Sequence, residues 1–170
     1  MREPLRAGTG VLLLVVALAG CSTPAPESRL EEHGDRAEQI HAAMLEHVPA
    51  DGDPAAGATS GPRFDEAGPL LGREHDTASW TTASSVRLAA GATPAEVAAA
   101  VGAWLREQRW TAEPTVDQGG TTPSVAVHRL AEPDGEWIVQ VAWPAPGRDR
   151  RVSLSVQSPL TVRGSAPAPR

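Results

Sequence analysis

Three segments of alternating hydrophobicity, separated only by short turn-forming stretches, constrain this chain more than any other feature. Residues 124–131 (SVAVHRLA), 136–143 (EWIVQVAW) and 151–158 (RVSLSVQS) repeat apolar side chains with a period of two, the signature of half-buried strands. Pro133-Asp134-Gly135 joins the first two as a tight turn, and 144–150 joins the second to the third as a loop. Strands connected so closely form an antiparallel meander. Trp137, Val139, Val141 and Trp143 share one face of their strand, opposite Ile138, Gln140 and Ala142. Val152, Leu154 and Val156 oppose Ser153, Ser155 and Gln157. In 124–131 the valines Val125 and Val127 are expected inward, which turns His128 and Leu130 to the polar face and makes His128 an exposed strand histidine.

Upstream lies one more strand and a helix. In 79–88 Trp80, Thr82, Ser84, Val86 and Leu88 alternate with Thr81, Ala83, Ser85 and Arg87. Gly91 turns the chain. Thr93-Pro94-Ala95-Glu96 combines a capping hydroxyl, a proline suited to the first helical position and a glutamate placed to complete a capping box. Val97, Val101, Trp104, Leu105 and Gln108 follow at helical spacing, so the helix is expected over 94–108, with Trp110 opening a short strand before Pro114. The fold class that follows is α+β: a two-layer sandwich with one amphipathic helix on a mainly antiparallel sheet of four or five strands, in β-α-β-β-β order. Trp104 is expected to meet Trp80, Trp137 or Trp143 on the sheet.

Before this α+β domain of residues 70–162, residues 28–48 read as a separate N-terminal helix. Ala37, Ile40, Met44 and Val48 fall at helical spacing, and Ser28/Glu31 and Asp35/Glu38 are capping-box pairs. Gly34 weakens the first turns by about 1 kcal/mol relative to Ala, and Pro49 ends the helix. So narrow an apolar stripe suits packing against the domain, including its polar sheet face, or against a partner. His33, His41 and His47 on this segment are spaced by eight and six residues, which does not fit zinc ligands on one helix face, and solvated side chains are expected. Residues 49–69 are rich in Gly, Pro, Ala and Asp without hydrophobic period and read as a flexible linker reaching ~25 Å as a random coil. Residues 163–170 read as a disordered tail.

Residues 1–20 read as an address. Arg2 and Arg6 precede an unbroken apolar run from Val11 to Ala19, too short for the roughly 20 residues of a membrane-spanning helix but suited to the core of a signal peptide. The run ends in Leu18-Ala19-Gly20-Cys21, which resembles the lipobox of bacterial lipoproteins. The resemblance implies cleavage between Gly20 and Cys21 and attachment of a diacylglycerol to the Cys21 thiol. Residues 21–27 then form a lipidated spacer, and the chain is expected on the extracytoplasmic face of the cell membrane. Cys21 is the only cysteine of the 170 residues, which also excludes an intramolecular disulfide and a Cys-rich zinc site. The layout further resembles small lipoproteins of high-GC Gram-positive bacteria whose activity is mostly undefined, and the Arg-only basic set and alanine richness fit a GC-rich genome. That resemblance carries over no functional residue.

The net charge of −6, without basic runs, argues against a nucleic-acid partner, and Arg148, Arg150 and Arg151, with Asp149 among them, read as a solvated turn. No G-x-S-x-G, H-E-x-x-H or Walker sequence occurs, and no cofactor, metal or catalytic residue is assigned. The polar sheet face is the least bland feature: Arg87, Gln140, Ser153, Ser155 and Gln157 form a candidate interaction surface for an envelope protein or a cell-wall component. The function expected is a non-enzymatic interaction module held to the membrane by its lipid. The alternative is a small-ligand-binding lipoprotein with a pocket between helix and sheet near Trp104 and Trp110.

Overall fold

The computed structural model describes residues 28–64, 77–116 and 122–162. The expected signal peptide, the lipobox with Cys21, the spacer and the tail at 163–170 lie outside these residues. In chain order the elements are α1 (Leu30–Leu45), β1 (Thr59–Phe64), β2 (Thr77–Arg87), α2 (Pro94–Glu107), β3 (Thr111–Ala112), β4 (Ser124–Glu132), β5 (Gly135–Trp143), β6 (Arg151–Gln157) and β7 (Thr161–Val162). The class is α+β, with a seven-stranded sheet ordered β1-β2-β6-β5-β4-β3 and β7 paired to β2. Every pairing is antiparallel. The meander β4-β5-β6 is present, and β6 closes on β2, which precedes it by a whole helix.

The sheet has more strands than the four or five expected. The largest difference is β1, which falls inside the segment read as a flexible linker. Its six residues are almost all exposed and include Pro62, because it is an edge strand with no apolar face to bury. Hydrophobic periodicity is blind to such a strand. Polar bonds hold it instead: Trp80 Nε1 donates to Ser60 Oγ at 2.7 Å, and Ser60 Oγ and Thr82 Oγ1 lie 2.9 Å apart. Residues 49–51 are also tied down, with Ala50 bridged to Leu88 and the Asp51 amide donating to the Arg87 carbonyl.

The second correction concerns α1. It is not separate: it lies on the same face of the sheet as α2, mainly over β2 and β6, and it does not cover the polar face. Ala37, Met44 and Leu45 join the core with Val86, Val139, Val141, Val152, Leu154 and Val156 from the sheet and Val97, Val101 and Leu105 from α2. The stripe that looked too narrow for a core helix works because small and polar residues complete it. Gly34 lets the helix backbone approach Trp80, and His33 and His41 fill buried positions. Neither expected capping box forms. Arg29 is the N-cap, with no side-chain cap bond, and its guanidinium binds Glu32 at 2.8 Å and Asp134 of the β4–β5 turn at 3.0 Å.

α2 begins as its sequence dictates. Thr93 caps it, accepting from the Glu96 amide, and Pro94 occupies the first turn. Trp104, however, has His47, in the turn just after α1, as its ring partner, with centroids 5.2 Å apart, rather than a sheet tryptophan. Trp137 is fully buried beneath α1, edge-on to His33 at 5.5 Å and under the Arg36 guanidinium at 4.9 Å.

Candidate binding surfaces

With both helices on one side, no element among the described residues forms a second layer on the other side of the sheet. Cross-strand partners share a face, and the register places the predicted surface residues together. Ser155 lies between Ala83 and Gln140, Ser153 between Ser85 and Ala142, and Gln157 between Thr81 and Ile138. Gln140, Ser153, Ser155 and Gln157 therefore form one patch, with Arg87 at its margin beside Arg151. Ser153 Oγ lies 3.4 Å from Ser85 Oγ. Two shallow hollows cross the patch. One of about 370 Å³ runs from Thr59 and Gly57 over Ser85 to Gln140 and Ser153. The other, about 350 Å³, runs from Arg63 over Thr81 to Gln157 and Ile138. The rim residues Gly57, Thr59 and Arg63 were invisible to sequence reasoning because β1 was.

On the helix side, a groove of about 590 Å³ opens between α1 and α2. Ile40, Trp104, Trp110 and Leu130 give it apolar walls, and the Arg36–Glu132 ion pair (2.5 Å) lies at its edge. This is the neighbourhood of Trp104 and Trp110 where the alternative pocket was expected.

Three histidines correct the sequence reading. His33, His41 and His128, expected to be solvated, are only 2%, 4% and 2% exposed. His41 Nε2 lies 2.9 Å from Ser84 Oγ. His33 Nε2 sits 3.5 Å from Asp134 Oδ2, a contact without hydrogen-bond alignment. His128 faces α2, not the polar side, because Glu132 pairs directly with Gly135. That two-residue turn sets Leu130 opposite Trp137 and His128 opposite Val139, both inward.

Burial lowers the His41 pKa, and burial together with the Arg106 charge lowers that of His128. The folded state therefore holds both rings neutral where the unfolded chain takes up protons, and stability rises with pH wherever the unfolded state binds more of them. Stability is expected to fall as pH drops through the ordinary histidine range near 6.5 and onward to the lowered folded values. Urea unfolding midpoints at pH 7.5 and 5.5 measure this directly. The midpoint should be lower at pH 5.5, and His41→Gln should flatten the difference. A midpoint that does not move would mean these rings are not held neutral.

Among the described residues, no three His, Cys, Asp or Glu side chains gather as a metal site, and no helix is long and apolar enough to cross a membrane. The chain matches no protein-family model, and neither a curated protein nor a solved structure is significantly similar to it.

Proposed function

We propose that this chain is a lipid-anchored envelope lipoprotein, held at the extracytoplasmic face of the membrane through Cys21, and that its domain is a non-enzymatic module binding a protein or wall component. The observation that carries the binding half is the one-sided placement of the helices. Among the described residues it leaves a hydroxyl- and amide-rich sheet face uncovered, with Gln140, Ser153, Ser155 and Gln157 contiguous. Such open antiparallel faces are often merely solvated. The hollows between Thr59, Arg63 and the patch give this one the relief that a polar polymer needs for contact.

The anchoring half rests on the leader and on the lone cysteine at the position the lipobox chemistry requires. Two or three acyl chains hold a protein far more firmly than one, at about 0.8 kcal/mol per buried CH₂. One experiment with two arms tests the reading. In the native envelope, Cys21→Ser should abolish lipid labelling and leave an uncleaved or soluble precursor; correct trimming and membrane retention of that variant would refute the anchor. The purified domain should co-sediment with cell-wall sacculi, and the Arg87→Ala/Gln140→Ala/Gln157→Ala variant should lose at least five-fold in bound fraction with an unchanged unfolding midpoint. Undiminished binding by the triple variant would remove the face from consideration.

A second reading, a small-ligand carrier, is favoured by the α1–α2 groove, whose walls Trp104, Trp110 and Leu130 suit an apolar guest.

A further inference from the structure

On the other flank of α2, away from the groove, a second cleft runs between the helix and the β4–β5 end of the sheet. It consists of two adjacent hollows that share Ala95 and Trp143 as lining residues. The inner part, about 280 Å³, is walled by the small residues Ala98, Ala99 and Gly102 of α2, with His128 and Arg106 among its polar groups. The outer part, about 490 Å³, is bounded by Pro94, Pro144 and Pro146 and carries Arg148 and Arg150.

The charge of this cleft is opposite to that of the chain. Arg106, Arg148 and Arg150 form no ion pair among the described residues, whereas both acids lining the cleft are engaged by arginines outside it. Glu113 is bound by Arg129, and Asp149 lies 3.7 Å from Arg151. Three cations without an ion-pair partner among the described residues thus line the two hollows, Arg106 the inner and Arg148 and Arg150 the outer, in a protein of net charge −6.

His128 adds direction. Its Nδ1 is buried and has no hydrogen-bond partner among the described residues. A buried orphan N–H is rarer than an under-used acceptor, so the proton belongs on Nε2. The Cε1–Nε2 edge faces Gly102, where a Cβ would sit 3.4 Å from both atoms. The imidazole therefore presents an N–H to the inner cleft, beside the guanidinium of Arg106.

We propose that this cleft binds a small amphiphilic anion, its carboxylate or phosphate head at His128 Nε2 and Arg106 and its apolar body along Trp143 toward the prolines. This site is independent of the open sheet face and of the lipid anchor.

The test titrates the ¹⁵N-labelled protein with decanoate at neutral pH, and with 1-decanol as the uncharged counterpart, following the His128 ring nitrogens by NMR. Decanoate should shift the Nε2 resonance saturably, and 1-decanol should bind at least ten-fold more weakly. Arg106→Ala, at an exposed position, should weaken decanoate at least five-fold. Gly102→Ala should do the same by placing a methyl group against the ring, while its unfolding temperature stays level or rises, since alanine favours the helix. The proposal is overturned if decanoate leaves His128 unshifted, if decanol binds as well, or if Arg106→Ala retains full affinity. It fails equally if Gly102→Ala weakens binding only by lowering the unfolding temperature.

Discussion

Trp137→Ala is expected to cost about 3–5 kcal/mol, enough to unfold much of the population of a domain this size. Trp137 is the largest of the fully buried side chains. It fills the space between α1 and the centre of the sheet, with His33 and Arg36 against its ring and Leu130 opposite on β4. Truncation leaves a cavity that rigid strands on both sides cannot close. Trp137→Phe should be far milder, about 1 kcal/mol. It keeps an aromatic ring and removes an indole N–H that has no hydrogen-bond partner among the described residues. Urea unfolding followed by circular dichroism measures both. Near-equal losses for the two variants would show that filling the site with an aromatic ring is not what stabilises it.

The second large effect is expected at Gly34, where helix propensity and packing point in opposite directions. Propensity alone favours Gly34→Ala by about 1 kcal/mol. In the fold, an added Cβ would lie 2.9 Å from Trp80 Cε2, and the indole cannot swing aside freely because its Nε1 is bonded to Ser60. Overpacking costs of about 1–3 kcal/mol should therefore win. Gly34→Ala should destabilise by about 1 kcal/mol, and Gly34→Leu by about 3 kcal/mol or more, with α1 lifted from β2. Denaturant midpoints decide the sign. A Gly34→Ala protein more stable than the parent would mean that α1 does not approach Trp80 this closely.

These two positions also show what was legible in the sequence. The α2 helix was readable to its cap because Thr93, Pro94 and Glu96 each have a local physical role. β2, β5 and β6 were readable because each buries one face, and the polar patch followed from their alternation. His128 was misplaced although the means to place it were present. Trp137, Val139 and Val141 share the apolar face of their strand, and a two-residue turn at Pro133-Asp134 forces Leu130 and His128 to the same side. The greater pull of Val125 and Val127 on a pattern count hid this. β4 is half-buried on both faces beside the very short β3, so its hydrophobic alternation carries little information. β1 left no apolar trace, and α1's role depended on a glycine contact and two buried imidazoles that no periodicity registers. The α1–α2 groove and the two-part cleft on the other flank of α2 are properties of how helices sit on the sheet, and of these the sequence points only to the neighbourhood of Trp104 and Trp110.

The docking of α1 has a consequence for reach. In the proposed anchored form, the stretch at 49–69 cannot act as a boom, because α1 before it and β1 within it belong to the same body. Only the eight residues Ser22 to Arg29 separate the acylated residue from the sandwich, a leash of at most about 30 Å even when fully stretched. Arg29 is clasped to Asp134 and its amide donates to Thr161, so in that form the hairpin tip of β4 and β5 would be the pole nearest the attachment point. Trp143 and the outer cleft at Arg148 lie at the opposite pole of the sheet, and under the proposed anchoring they would be the end farthest from the leash.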